Sequence, residues 1–303
     1  KRETIMPAKE FICPDGSTIS IPRCLSQCPH KERCMFLPTL RALANSLDRN
    51  LDKPSVTELI GGTRELYLKK TTSYAVNPMN QVFALHGTAI HSLQEAQTYG
   101  ELLSEERLHD NITSGKFDLY GKILTDTEDT VLGDYKVTSS YKLMKALGYY
   151  KVDVPTGDVY KTGMRKGQPK YRKEWRTDGV KAVFEWAVQL NYYRMLLEKQ
   201  GFKVSRMEIQ AFCRDYGLQT ASQRNITKPV YLIPIHRISN HWLRIYMSAK
   251  AERFRKALVN KKLPPPCNSR ERWNGRKCTG YCDVANRCPY GLALKQKQEK
   301  EAV

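Results

Sequence analysis

The chain has 303 residues, 41% of them hydrophobic, and carries 50 Lys and Arg against 31 Asp and Glu, a formal net charge of +19. That apolar content supports a packed core and excludes a chain disordered throughout. No apolar run nears the roughly 18 residues of a membrane helix and no secretory signal is visible, so a cytoplasmic protein with no membrane partner is expected. A cationic surplus of this size favours a polyanionic partner, because each neutralised phosphate releases counterions.

Near the N-terminus, CPDGSTISIPRCLSQCPHKERC sets Cys13, Cys24, Cys28 and Cys34 at intervals of ten, three and five residues. The same ruler returns in CNSRERWNGRKCTGYCDVANRC as Cys267, Cys278, Cys282 and Cys288. Two chance copies of a four-point spacing are improbable, and disulfides do not suit a chain without a secretory signal. Four thiolates close a tetrahedral shell around zinc or hold an iron–sulfur cluster. Turns at Pro14 to Ser17 and at Asn274-Gly275 suggest hairpins that carry the ligands, which places zinc slightly ahead. Residues 1–38 are expected to form one metal module and 39–263 the body. Pro264-Pro265-Pro266 then opens a second module with its tail at 264–303.

Within the body, Ser55 followed by Glu58 is a capping-box signature. A helix is predicted across QVFALHGTAIHSLQEAQTYG, stopping at Gly100. GKFDLYGKIL and TVLGDYKVT are strand-like and are joined by the polar turn TDTED. The segment from about 142 to 178 is an insertion rich in cations: Lys161, Arg165, Lys166, Lys170, Arg172, Lys173 and Arg176. Tyr171 and Trp175 lie among them, placed to stack on bases or simply to pack, and the whole would guide a nucleic-acid strand. KVDVPTGDVYKTG inside it offers a hairpin. KAVFEWAVQLNYYRMLLEKQG reads as a long amphipathic helix ended by Gly201. VSRMEIQAFC is a strand with Cys213 buried, PVYLIPIHRI another strand, and Ser239 caps a last helix. This order predicts an α/β fold with a mixed central sheet flanked by helices.

Asp134 and Lys136 lie two apart in the run Val131 to Thr138, so they project from one face of a strand. Antiparallel pairing about a turn near residue 127 brings Asp118 opposite residues 134–137. Two close carboxylates repel unless a cation lies between them, and hard oxygen ligands suit magnesium or manganese. The lysine would then orient or help deprotonate a bound water. A plain Asp–Lys ion pair fits the spacing equally well.

HGTAIH, GKFD, GDYK and QLNYY, in that order, resemble the RecB-type branch of the PD-(D/E)xK nuclease superfamily. That branch includes the CRISPR-associated exonucleases and the AddAB and RecB nuclease domains, and the resemblance spans about residues 55–215. It implies a restriction-endonuclease-like core, with His91, Asp118, Asp134 and the carbonyl of Tyr135 as magnesium or manganese ligands and Lys136 as the catalytic lysine. Gln189 and Tyr193, four apart on one helix face, would help hold water, metal or DNA. His86 falls on another face and reads as incidental, and Glu95 as solvent-facing. The implied activity is hydrolysis of DNA phosphodiesters by metal-activated water, on single strands or free ends and exonucleolytic. The setting would be recombination, repair or mobile-element processing, with a helicase, recombination or CRISPR partner. An endonuclease of the same superfamily and a non-catalytic DNA-binding subunit are the alternatives. Some members of the branch hold an iron–sulfur cluster with one cysteine before the core and three after it. This chain departs from them by having four on each side, which favours two self-contained sites.

Overall fold

A computed structural model describes residues 8–47, 53–124, 129–181 and 183–301, so residues 125–128 of the expected TDTED turn lie outside the described residues. The chain opens with β1 (Ala8–Ile12), β2 (Thr18–Ser20), α1 (Ile21–Ser26) and α2 (Leu37–Leu47). After these come α3 (Val56–Ile60), α4 (Thr63–Thr71), β3 (Tyr74–Val76) and α5 (Pro78–Glu95). Four short strands follow: β4 (Leu103–Ser104), β5 (Arg107–His109), β6 (Ser114–Lys116) and β7 (Leu119–Gly121). Then come β8 (Val131–Thr138), α6 (Ser140–Ala146), β9 (Tyr149–Val159), β10 (Pro169–Thr177) and α7 (Phe184–Lys199). The chain continues through β11 (Arg206–Cys213), α8 (Gln219–Ser222), β12 (Val230–Pro234) and α9 (Asn240–Asn260), and ends with α10 (Arg276–Gly280) and α11 (Pro289–Glu301).

Contacts divide the chain into two compact units. The first comprises Lys1–Leu93, Arg107–Lys116 and Ser239–Val303, and the second Gln94–Glu106 and Phe117–Ile238. This differs from the three consecutive segments expected from sequence, because the chain returns to the first unit at Ser239 and brings the second cysteine set there.

The second unit is built on a five-stranded sheet in the order β12-β11-β8-β7-β4. β11 runs parallel to β8 and the other neighbours are antiparallel, so the sheet is mixed. A parallel pair needs a long crossover, and α7 lies in the connection from β8 to β11. α7 is not amphipathic as expected: Trp186 through Leu197 are all buried. Its polar residues are satisfied inside the fold rather than turned to water. Asn191 Nδ2 donates to the carbonyls of Ala187 and His236, both at 2.9 Å, and Asn191 Oδ1 accepts from Ile238 N at 2.8 Å. Arg194 donates to Glu198 at 2.7 Å and to the Ile238 carbonyl at 3.0 Å. As expected, Gly201 follows the helix at φ +92°. Cys213 is buried at the end of β11, where burial and the bond to Asp215 push its thiol up to about 11.

The strand expected across GKFDLYGKIL is two strands. Ser114–Lys116 pairs with β5 in the first unit and Leu119–Gly121 joins the sheet of the second, which leaves Phe117 and Asp118 at the break.

In the first unit, β2, β1 and β3 form a small sheet. The β1–β2 turn is the hairpin expected from Pro14 to Ser17, with Gly16 at φ +85° and Asp15 Oδ1 accepting from Ser17 N at 3.0 Å. Phe11, Ile19, Ile21, Leu40 and Leu43 form a core around the buried Cys24. The capping box at α3 is present: Glu58 N donates to Ser55 Oγ at 3.2 Å and Ser55 N to Glu58 Oε2 at 2.7 Å. At the other end of α3, the buried Lys250 of α9 donates to the carbonyls of Ile60 (3.3 Å) and Gly61. It also pairs with Glu271 at 2.5 Å, so a buried ammonium terminates one helix and fastens another.

Candidate functional site

In β8 both faces are covered over Val131 through Asp134, which are all buried, and Lys136 is partly exposed. Leu119 pairs with Gly133, and one step further on Tyr135 N donates to Asp118 Oδ2 at 2.7 Å. Asp118 and Asp134 are 7% and 2% exposed, and carboxylates so buried stay ionised only beside a cation or hydrogen-bond donors. Lys136 Nζ stands 2.5 Å from Asp134 Oδ2, and Gln189 Nε2 reaches Asp134 Oδ1 at 3.3 Å. Beyond that ion pair, Asp134 Oδ2 accepts no well-aligned hydrogen bond among the described residues, so it keeps capacity for a cation. The Tyr135 phenol is pushed up by burial and by the charge of Asp118.

Asp118, Asp134, Tyr135, Lys136 and Gln189 are therefore brought together in the second unit. Tyr193 is buried one helical turn beyond Gln189. His91 lies on α5, in the first unit.

Two further residues of the second unit belong to this neighbourhood and were not expected from sequence. A carboxylate oxygen of Glu105 lies within 4.8 Å of one of Asp118. Glu105 adopts φ +54°, a left-handed conformation uncommon outside glycine and enriched where function holds the backbone. Lys142 of α6 lies 4.7 Å from the ring centre of Trp186. Burial holds its pKa down against the pull of Glu185, and the charge of Lys136 adds to the lowering. Neither residue gives a signal, since SEER and SSYKLMK read as ordinary charged surface.

The cations assigned to nucleic acid all fall on β10 and on the connection that leads to it from β9. The local hairpin expected within KVDVPTGDVYKTG is absent: Tyr149–Val159 is a single strand, paired with Pro169–Thr177.

Each cysteine set lines one cavity of the first unit. Cys13, Cys24, Cys28 and Cys34 line a space of about 400 Å³, and Cys267, Cys278, Cys282 and Cys288 one of about 30 Å³. Cys13 Sγ, an Asp15 oxygen and a His30 nitrogen lie within 4.8 Å of one another, which adds a carboxylate and an imidazole beside the first thiols. Sequence reasoning passed over both, although CPDG and CPHK place them next to the cysteines.

Beside the second set, Glu65 is 2.5 Å from Lys277 and 3.1 Å from Lys69, and Lys69 also meets Asp283 at 3.0 Å. Burial alone would raise the pKa of Glu65, but Lys69 and Lys277 hold it below the usual 4.5. Glu65→Gln removes the anion from two partly buried ammonium groups and is expected to destabilise the chain by about 3 kcal/mol near neutral pH. A depressed carboxylate contributes fully above its unfolded value and loses that contribution as pH falls through the folded one. The difference between parent and variant should therefore shrink as pH drops below about 4.5. Urea unfolding at about pH 7 and about pH 3.5 checks both, and a gap that is small at neutrality or widens in acid contradicts the assignment.

No family model matches the chain, and no curated protein matches it. Among solved structures it is similar to the crystal structure of SSO0001, with a TM-score of 0.40 and 13% identity over 84% of this chain and 94% of that one. A likeness that slight carries no inference about fold or function.

Proposed function

We propose that the chain is a divalent-metal-dependent DNA nuclease with a PD-(D/E)xK core. One observation carries the assignment: two buried carboxylates, Asp118 and Asp134, are brought together by the β7–β8 pairing, and Asp134 is met by Lys136 of its own strand and by the Gln189 amide. Held by Asp118, Asp134 and the Tyr135 carbonyl, magnesium or manganese would supply Lewis acidity toward the scissile phosphate and acidify a water. The Tyr135 amide fixes the rotamer of Asp118, and Gln189 does the same for Asp134. Lys136, paired to Asp134, is positioned to orient the attacking water and to offset charge that develops on the phosphate. The resemblance adds His91 as a ligand and Tyr193 as a positioning group. The charge of +19 supports a polyanionic substrate. The two cysteine sets would hold zinc or iron–sulfur clusters as structural centres.

The substrate expected is DNA with single-stranded or free ends, in recombination, repair or mobile-element processing. Linear and circular single-stranded DNA, each incubated with manganese and with a chelator, test this directly. The proposal predicts that linear DNA is reduced to acid-soluble nucleotides, circular DNA is spared, and the chelator stops digestion. Cutting of the circle would make the enzyme an endonuclease, and no digestion of either form would overturn the assignment.

A further inference from the structure

The β9–β10 ribbon belongs to the second unit, yet no residue from Lys151 to Lys181 is buried. At about 3.3 Å per residue its longer strand extends roughly 35 Å. A two-stranded ribbon without a core is marginal in water, so its own side chains must hold it. On one face Tyr171 lies opposite Pro155, Lys173 opposite Asp153 and Trp175 opposite Lys151, whose Nζ stands 4.8 Å from the indole centre. On the other face the Glu174 carboxylate bridges Arg172 at 2.6 Å and Arg176 at 3.5 Å. The base is pinned by Thr177 Oγ1 on the Leu147 carbonyl (2.7 Å) and Lys181 N on the Ala146 carbonyl (2.8 Å). Gly148 there has φ +63°, and a Cβ on it would run into the Gly179 carbonyl.

The far end is also ordered. Tyr160 N donates to Gln168 O at 3.0 Å, Gly167 N to Tyr160 O at 2.9 Å, and Lys166 N to Gly163 O at 3.0 Å. Arg165 and Lys170 lie 5.9 and 5.7 Å from the Tyr160 ring centre. At the apex Met164 is fully exposed, at 103%, with Lys161, Arg165 and Lys166 beside it. Between Tyr149 and Thr177 eight residues are Lys or Arg and three are Asp or Glu. Edge lysines guard a strand against unwanted pairing, but that need does not place a bare thioether at the tip. A narrow basic ribbon ending in an apolar side chain matches the way proteins enter a DNA groove and wedge a side chain between base steps.

We propose that this ribbon is a duplex-binding arm, with its cations on the phosphates that border a groove and Met164 as a wedge that unstacks bases at a duplex end. The proposal rests on the nuclease reading for DNA as the partner, and it narrows the substrate to a duplex that adjoins a single strand. Unstacking there would deliver the strand that the carboxylates of the same unit cut.

The test uses the full chain carrying Asp134→Asn, so that binding is read without cleavage. The probe is a duplex with a single-stranded tail and 2-aminopurine at the last base pair. Binding should raise the fluorescence severalfold. Adding Met164→Ser should abolish the rise while affinity stays within about twofold. Replacing Lys161, Arg165 and Lys166 together with alanine should weaken duplex binding and reduce the salt slope of log affinity by about 2 to 3. Circular dichroism and tryptophan emission check that the fold survives. A rise unchanged by Met164→Ser, or an unchanged salt slope in the triple variant, overturns the arm. A chain with Asp134 intact that opens the junction but digests no DNA sinks the nuclease and leaves the arm standing, whereas digestion of single strands without junction opening does the reverse.

Discussion

Asp134→Ala is expected to lower manganese-dependent DNA digestion by about a thousandfold or more, and Lys136→Ala by about a hundredfold or more. Asp134 is almost fully buried beside a second buried acid, and among the described residues its Oδ2 is held by the lysine alone. On the nuclease proposal, deleting it removes an anionic metal ligand, and with it the repulsion between two buried carboxylates. Relief of that repulsion offsets the loss of the Lys136 ion pair, so the melting temperature should hold within a few degrees. Lost activity with retained stability marks a chemical site, whereas a structural ion pair gives the opposite: activity that tracks folding. Full activity in a folded Asp134→Ala protein would leave the two acids with no role in catalysis.

The second large effect concerns the thiols. Cys28→Ser and Cys282→Ser are each expected to lower the bound soft metal by about half, because each would disable one of the two proposed self-contained sites. Burial, and then the charge of Glu65, push the Cys282 thiol up to about 12, so without a metal it stays protonated in its cavity. Cys24, Cys267 and Cys278 are shifted the same way, burial being the largest cause in each. A metal must displace the proton from each thiol that it binds, so metal binding should release protons and be coupled to folding of the first unit. Elemental analysis reads the metal content, and absorbance near 400 nm separates iron–sulfur from colourless zinc, since thiolate-bound iron clusters absorb roughly there. If both variants retain the parent's full metal content, the repeated cysteine ruler is not a ligand set.

The acid–lysine cluster was legible because strand alternation is a strict rule. Once β8 is recognised, Asp134 and Lys136 must share a side, and a short antiparallel return must bring Asp118 near them. The break at Phe117 and Asp118 was not legible, since residues 115–124 have strand character throughout and only their separate pairing divides them. The ribbon was misread for a related reason. Gly157 looks like a turn, but at φ +83° in an exposed strand it is accommodated without reversing the chain. Gln189, Asn191 and Arg194 gave α7 a false polar face, because a buried polar side chain with partners looks in sequence like a solvated one. Glu105 and Lys142 were invisible in the same way: charged residues are common at the surface, and only tertiary structure brings them beside Asp118 and Trp186.

Manganese binding followed by electron paramagnetic resonance tests the heart of the account, which is that the acids of β8 and the preceding break converge to hold a hard divalent cation. The parent should bind the ion, and Asp118→Asn should weaken that binding about tenfold or more with the fold intact. Equal binding by parent and variant, or none by the parent, would contradict it.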